Sequence, residues 1–310
     1  MALTVFTGSA AAATSGPPSF SSDSLSCLVG QHFCAAVSAD GYATVYADGK
    51  WSTPVEIDLS AAKQQSTLNG VSCGSTTRCI AWDNLAENEF LFNGSKWTID
   101  QSLDPDGGGF QAVSCSAWYQ CVAVDYTSDA LTDSYGFWSA STPVDPFATV
   151  QALDCPTTSF CLAGDAAGFA ITDYNGRWSP PVRVDNSLDN GISAVSCTSQ
   201  SFCMEANGSR VSTFKNRVWS KRSTAAGPRS ISGLSCASTT SCLALGGHQT
   251  YLFNGHKWKR VRYPQTGGAS ASVSCTSVGC VVLDTGGNSA LYDHGTWRVF
   301  GTVPGTPDAP

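Results

Sequence analysis

The apolar and polar positions of this chain fall into one short pattern that recurs along most of its length. An apolar residue precedes Ser-Cys, a short polar turn leads to a second Cys, and that Cys opens a strongly apolar run. Another turn, a third run and an Asn-Gly-like turn follow before a Trp closes the unit. Short runs bounded by turn chemistry read as β-strands, so each unit predicts four. In the fifth unit the strands are expected at Ile192 to Thr198, Ser201 to Ala206, Arg210 to Phe214 and Val218 to Arg222. The last turn is visible seven times: ADGKW (47–51), FNGSKW (92–97), SYGFW (134–138), YNGRW (174–178), FKNRVW (214–219), FNGHKW (253–258) and YDHGTW (292–297). Most carry Asn-Gly, Asp-Gly or a related pair, residues that tolerate the positive φ of a type I′ hairpin turn.

The first Cys of each unit stands at 27, 73, 115, 155, 197, 236 and 275, so successive units lie 46, 42, 40, 42, 39 and 39 residues apart. A period of about 40 residues with four strands is that of a propeller blade. One such sheet cannot bury both its faces, whereas seven around an axis cover one another. The expectation is therefore all-β: a seven-bladed β-propeller with four antiparallel strands per blade, forming one domain over residues 24–304. Length alone, 310 residues at about 150 per domain, suggests two domains, and the repeat overrules it. Blade 7 contains all four strands by Val303, so ring closure needs no strand exchange, although Leu3 to Thr7 is a candidate extra outer strand. Residues 305–310 read as a C-terminal tail.

The SC-x-S-x-x-x-C-x-A spacing resembles the repeats of secreted bacterial β-propellers, and more loosely the propeller lectins that carry an aromatic residue in every blade. The likeness covers about residues 24 to 304. It implies a secreted, lectin-like binding protein, but propellers also host lyases, glycosidases and protein scaffolds, so the fold does not select among them.

Fourteen Cys against two Met is far above ordinary use. They form the close pairs Cys27/Cys34, Cys73/Cys79, Cys115/Cys121, Cys155/Cys161, Cys197/Cys203, Cys236/Cys242 and Cys275/Cys280. A zinc site wants two short knuckles together, whereas most pairs here have five intervening residues and each sits in its own unit. One disulfide per blade, stapling the innermost hairpin, is expected, and seven of them imply an oxidising compartment, secreted or extracellular. Residues 1–23 read as a flexible leader or signal-peptide remnant: they lack a basic n-region, but ALTVFTGSAAAATS resembles the end of an apolar h-region followed by small residues.

Composition narrows the function classes. The chain is 42% hydrophobic with a mean hydropathy of −0.05, enough to build a large core. Only 13% of residues are charged and the net charge is −7, which argues against nucleic-acid binding; no run of eighteen apolar residues exists to span a membrane. The four histidines, His32, His248, His256 and His294, are scattered, and no nucleophile elbow, zinc-protease motif or phosphate loop is present. Asn93-Gly94-Ser95 and Asn207-Gly208-Ser209 match glycosylation sequons, with a tight turn as the plainer explanation.

Candidate sites lie where units depart from the repeat. The repeated Trp51, Trp97, Trp138, Trp178, Trp219, Trp258 and Trp297 suit either sugar platforms or wedges between blades. Trp82 and Trp118 fall outside the repeat and are candidate ligand residues. Asp154 alone replaces the Ser before the first Cys, where a carboxylate either binds a cation or bonds neighbouring hydroxyls. Residues 83 to 133 hold nine carboxylates (Asp83, Glu87, Glu89, Asp100, Asp104, Asp106, Asp125, Asp129, Asp133) and one base, Lys96. From these long loops Asp83, Glu87, Asp106, Asp125 and Tyr126 are the expected ligand-binding group. Asp104 and Asp106 are the candidate ligands should Ca²⁺ be held, with no other cofactor expected, and a solvated acidic rim is the alternative. Residues 210 to 262 hold ten of the 17 basic residues and no acid, which suits edge protection or an anionic partner.

The leading reading is a secreted binding module for extracellular carbohydrate, a glycan or cell-wall polymer. The alternatives are a polysaccharide-cleaving enzyme using loop carboxylates and a scaffold with a protein partner.

Overall fold

A computed structural model describes residue 20 and residues 24–58, 67–83, 88–101, 109–184, 191–220, 223–224, 230–246, 249–264 and 268–305. These form seven antiparallel sheets, each contiguous in sequence, spanning residues 25–56, 68–101, 110–143, 150–183, 194–224, 233–261 and 270–302. Three full strands run outward from the axis in each. The fourth is continuous in blades 2, 6 and 7, as Trp97–Gln101, Trp258–Val261 and Thr296–Thr302, and interrupted in the others. Blade 5 shows the difference from the sequence expectation. Its strands are Ala194–Ser199, Phe202–Asn207 and Arg210–Lys215, but the outer one breaks into Val218–Trp219 and Ser223–Thr224. An outermost strand has one hydrogen-bonding neighbour, so little holds it in register where the chain bends. Leu3 to Thr7 lies outside the described residues.

All seven expected cysteine pairs are disulfides across the two inner strands, with Cα atoms 3.9 to 4.1 Å apart. Cys27 is bonded to Cys34, Cys73 to Cys79, Cys115 to Cys121, Cys155 to Cys161, Cys197 to Cys203, Cys236 to Cys242 and Cys275 to Cys280. Three of them vary the pattern, and Cys27 and Cys34 stand one residue further apart than in most blades. The bond from Cys155 to Cys161 sits at an irregularity in its ladder, where pairing passes from Asp154 and Leu162 directly to Thr157 and Phe160. Cys280 follows Cys275 after one residue fewer than in most blades, and Gly279, at φ 150°, permits the tighter turn.

The Ser-Cys motif has a second use. The Ser of one blade accepts the backbone N–H of the first Cys in the next: Ser26 from Cys73, Ser72 from Cys115, Ser114 from Cys155, Ser196 from Cys236 and Ser235 from Cys275, all at 2.9 or 3.0 Å. Ser274 accepts from Cys27 at 2.9 Å and so closes the ring. Asp154 fills this place in blade 4 and accepts from Cys197 at 2.6 Å. A backbone donor at the crowded axis must find a partner, and a short hydroxyl supplies one at each of the other junctions. Two positions before each first Cys, Leu25, Val71, Val113, Leu153, Val195, Leu234 and Val273 line an axial cavity of about 140 Å³ with a ring of branched side chains.

The core lies between blades rather than within them. Each blade turns its disulfide and repeated Trp toward the preceding blade, as at the first junction, where Phe33, Ala35 and Val37 meet Cys73, Cys79, Ala81 and Phe92. Trp51, Trp97, Trp219, Trp258 and Trp297 pack on an aromatic ring of their own third strand, at centroid distances of 4.9 to 5.5 Å. The repeated tryptophans are thus wedges that fill the widening junctions. Blades 7 and 1 are joined the same way, with Trp51 donating to Ser289 Oγ at 2.9 Å and Tyr46 stacked on Phe300.

Candidate functional site

Antiparallel alternation sends the first and third turns of every blade to one face of the ring, the hairpin face. The second turns and the links between blades lie on the other, the connection face. At the connection face the second strand ends in Asp83, Asp125, Asp165 and Asp284 in blades 2, 3, 4 and 7, and all four are buried. They are turn caps. Asp125 Oδ1 accepts the backbone N–H groups of Thr127 and Asp129 and the Thr127 hydroxyl, each at 2.8 Å. Asp165 serves Ala167 and Phe169, Asp284 serves Gly286 and Asn288, and Asp83 accepts from Asn88. Such side-chain bonds hold a tight turn in place of a backbone ladder.

The acidic stretch read from the sequence is therefore, in good part, interior. Besides Asp83 and Asp125, Glu89 is buried and accepts the indole N–H of Trp138 at 2.9 Å, and Asp133 is buried against Arg78. Glu87, Asp104 and Asp106 lie outside the described residues. Among the described residues no group of three or more His, Cys, Asp or Glu is placed to hold a metal ion. Trp82 is buried in the junction of blades 2 and 3, beside Phe110 and Val113, and reaches the wall of the axial cavity. Tyr126 is partly exposed, and burial followed by the nearby charge of Asp83 raises its phenol above the ordinary range. His32, His256 and His294 are exposed.

Trp118 stands on the opposite face from these residues, and it has company the sequence reading missed. In the first turn of blades 2, 5 and 6 a Ser hydroxyl caps the backbone two residues on: Ser75 to Thr77, Ser199 to Ser201 and Ser238 to Thr240. Blade 3 has Ala117-Trp118-Tyr119 there instead. In its outer turn Tyr135 has φ 58°, at a place where blades 1, 4, 5 and 7 have Asp48, Asn175, Asn216 and His294. A bulky side chain in this left-handed region costs about 1–2 kcal/mol, which Asn and Asp partly recover through local hydrogen bonds. Phe137 follows, where blades 1, 2 and 6 carry Lys50, Lys96 and Lys257. Trp118 meets Tyr119 and Tyr135 edge-on at 5.4 and 5.5 Å, while Tyr119 and Tyr135 stack at 5.2 Å. Trp118, Tyr135 and Phe137 are 56%, 63% and 79% exposed.

Trp118 and Tyr135 form one wall of a cleft of about 290 Å³ between blades 2 and 3, completed by Thr77, Arg78, Leu91, Phe92, Asn93 and Thr98. Its lining is polar on one side because both blades depart from the repeat together. Asp133 replaces the third-strand aromatic that faces the repeated Trp in five blades, and Arg78 of blade 2 pairs with it. Asn93 Oδ1 is engaged by its own turn, accepting from Ser95 and Lys96, which leaves the amide Nδ2 as a donor. The two blades touch closely just inside: a Cβ on Gly74 would stand 2.1 Å from the carbonyl oxygen of Ala117 and 3.1 Å from the Trp118 nitrogen. Gly74→Ala is accordingly expected to cost about 2 kcal/mol or more, read as a lower urea midpoint, since backbone on both sides blocks relief. An unchanged midpoint would mean that the tip is not held by this contact.

Three raised carboxylates stand apart from the cleft, among them Asp173, lifted by burial against the N–H groups of Gly176 and Arg177. Burial, opposed by hydrogen bonds from Cys197, Ser114 and Cys155, lifts Asp154 to about 6. Burial and the neighbouring Asp145 raise Asp165, against the N–H groups of Phe169 and Ala167.

No protein-family model matches the sequence, and no curated protein does. Solved structures share the fold: YCF48 bound to a D1 peptide, with a TM-score of 0.68 and 13% identity over 90% of this chain and 93% of that one. YCF48 from Cyanidioschyzon merolae gives 0.66 and 15% over 89% and 96%, and the WD40 β-propeller domain of Doa1 gives 0.67 and 13% over 90% and 95%. At such identities the likeness is one of fold alone.

Proposed function

We propose that this protein is a secreted binding module that recognises extracellular carbohydrate, at the hairpin-face cleft between blades 2 and 3. The observation that carries the reading is the conversion of one blade tip, and no other, to four aromatics: Trp118, Tyr119, Tyr135 and Phe137. Exposed rings cost solubility, and Tyr135 adds backbone strain, so neither is explained by packing of the repeat. A flat ring covers the apolar face of a pyranose, while the Asn93 amide, the hydroxyls of Thr77 and Thr98 and the Arg78 guanidinium offer partners for its hydroxyls. The Arg78–Asp133 pair balances its own charge, which favours a neutral sugar. The seven disulfides are compatible with an extracellular site of action.

A second reading is a protein partner: a similar propeller is known with a bound peptide, and exposed aromatics serve protein recognition too. One experiment separates them. A glycan array is followed by calorimetry on Trp118→Ala and on Tyr135→Asn. Both variants should weaken binding to the neutral glycan found by at least about tenfold, or ~1.4 kcal/mol. Tyr135→Asn should also raise stability by about 1 kcal/mol, because Asn suits the left-handed turn, so lost binding cannot then be blamed on misfolding. Absence of any glycan ligand, or affinity unchanged in both variants, would overturn the carbohydrate reading.

A further inference from the structure

We infer that the outer rim of blades 5 and 6 is a second docking surface, for a linear acidic polysaccharide bearing a carboxylate on successive sugar units. Of the ten basic residues between 210 and 262, Lys221, Arg222 and Arg229 lie outside the described residues, and the other seven are exposed. Arg217 lays its guanidinium over the Tyr174 ring at 4.7 Å. Lys215, Lys257, Lys259, Arg260 and Arg262 have no carboxylate partner among the described residues, and the stretch itself contains no acid to provide one.

Alternation along the strands shows where these charges point. In the outer strand of blade 6, Trp258 packs toward blade 5 and Val261 toward blade 7. Arg260 shares the parity of Trp258, and Arg262 continues it just past the strand, so both lean toward blade 5; Lys259 leans toward blade 7. In the third strand of blade 5, Phe214 packs toward blade 4 and Val211 toward blade 6, which puts Lys215 on the blade 6 side. Lys257, Lys259, Arg260 and Arg262 therefore form one exposed stripe along the outer edge of blade 6, with Lys215 at the hairpin-face end of the third strand of blade 5. Neighbouring charges of the same parity are spaced about 7 Å along a strand, within reach of carboxylates on adjacent sugars.

Edge protection does not account for this. Blades 2 and 7 have outer strands as continuous as that of blade 6, and they manage otherwise: Trp97–Gln101 contains no cation, and Thr296–Thr302 contains only Arg298, which is paired with Asp293. A chain of net charge −7 has acids enough to neutralise a stripe it did not use. Unpaired cations held together repel one another and persist at a cost that an anionic ligand would remove. Arginine and lysine together suit carboxylates, by forked and by single contacts respectively. A polymer with one carboxylate on each sugar matches this spacing of cations, and the surface is independent of the aromatic cleft.

The test uses the whole protein with polygalacturonate, neutral dextran and oligo(dT) as probes. Polygalacturonate should bind, dextran should not bind at the rim, and affinity for polygalacturonate should fall about tenfold or more between about 50 and 250 mM salt as counterions compete. The triple change Lys259→Glu, Arg260→Glu, Arg262→Glu should abolish that binding with an unchanged urea midpoint, and Lys257→Glu, at the hairpin end of the same stripe, should weaken it alone. Trp118→Ala should leave it intact, so failure of the cleft and failure of the rim are separately visible. Binding of polygalacturonate that survives the triple change, absence of binding, or oligo(dT) bound as tightly as polygalacturonate would each overturn the assignment.

Discussion

Full reduction of the seven disulfides should unfold the ring in buffer where the oxidised protein is native. Each bond closes a loop with a sequence separation of 5 to 7 residues. In the chain-entropy account such a loop is worth about 2 kcal/mol, so seven are worth on the order of 10 kcal/mol. That equals the whole net stability of an ordinary domain, about 5–15 kcal/mol. The interfaces themselves give limited compensation, because the cysteines are core residues. Cys34, Cys79, Cys121, Cys203 and Cys242 are fully buried in the junctions, and Cys161 and Cys280 nearly so. The measurement is a urea titration followed by tryptophan fluorescence, with and without reductant, after alkylation has counted fourteen thiols. Mass mapping of the oxidised protein should return the seven neighbour linkages. A fully reduced protein with the same urea midpoint would show that packing between blades suffices and the staples are dispensable.

Asp154→Ser should stabilise the protein at neutral pH by about 2 kcal/mol and lose that advantage in acid. Six of the seven junctions use a Ser hydroxyl to accept the Cys N–H, and only the blade 4 to 5 junction uses a carboxylate. Asp154 keeps some surface at the axis, yet it lies so deep that burial outweighs its three hydrogen bonds and moves its carboxyl from 3.8 to about 6. A pKa raised on folding means that the folded state holds the proton more tightly. Its stabilising contribution is complete below pH 3.8, declines as pH rises through about 6, and is gone above it. One pKa unit is worth about 1.4 kcal/mol, and a discount for the axial exposure brings the effect to about 2 kcal/mol. Serine avoids the loss and can accept the same N–H bond, so the gap between variant and parent should close as pH falls from about 7 to 4. Asp165, raised by burial and by Asp145, keeps a residual pH dependence of the same sign in the variant. Equal stability of the two proteins at both pH values would show that Asp154 carries no burial penalty.

Some of this was legible along the chain because repetition multiplies a local signal. Period, turn chemistry and paired cysteines recur seven times, and each depends on contacts within a few residues, so blade number, strand number and disulfide partners follow from spacing. The Ser beside each first Cys was equally visible, but its role was not, because its partner belongs to the next blade some 40 residues on. Carboxylates misled for the same reason. Asp83 and Asp125 read as an acidic surface when counted within one stretch, whereas Asp165 and Asp284 at the same strand end in other blades mark them as turn caps. Trp118 was visible as a departure from the repeat, while Tyr135 was hidden inside SYGFW because a turn tolerates it. Only the closing of one blade against the next brings Trp118 and Tyr135 to face Arg78, Asn93 and Thr98. Local chemistry determines the blade. What lies between two blades depends on side chains from separate units that meet only when the ring forms.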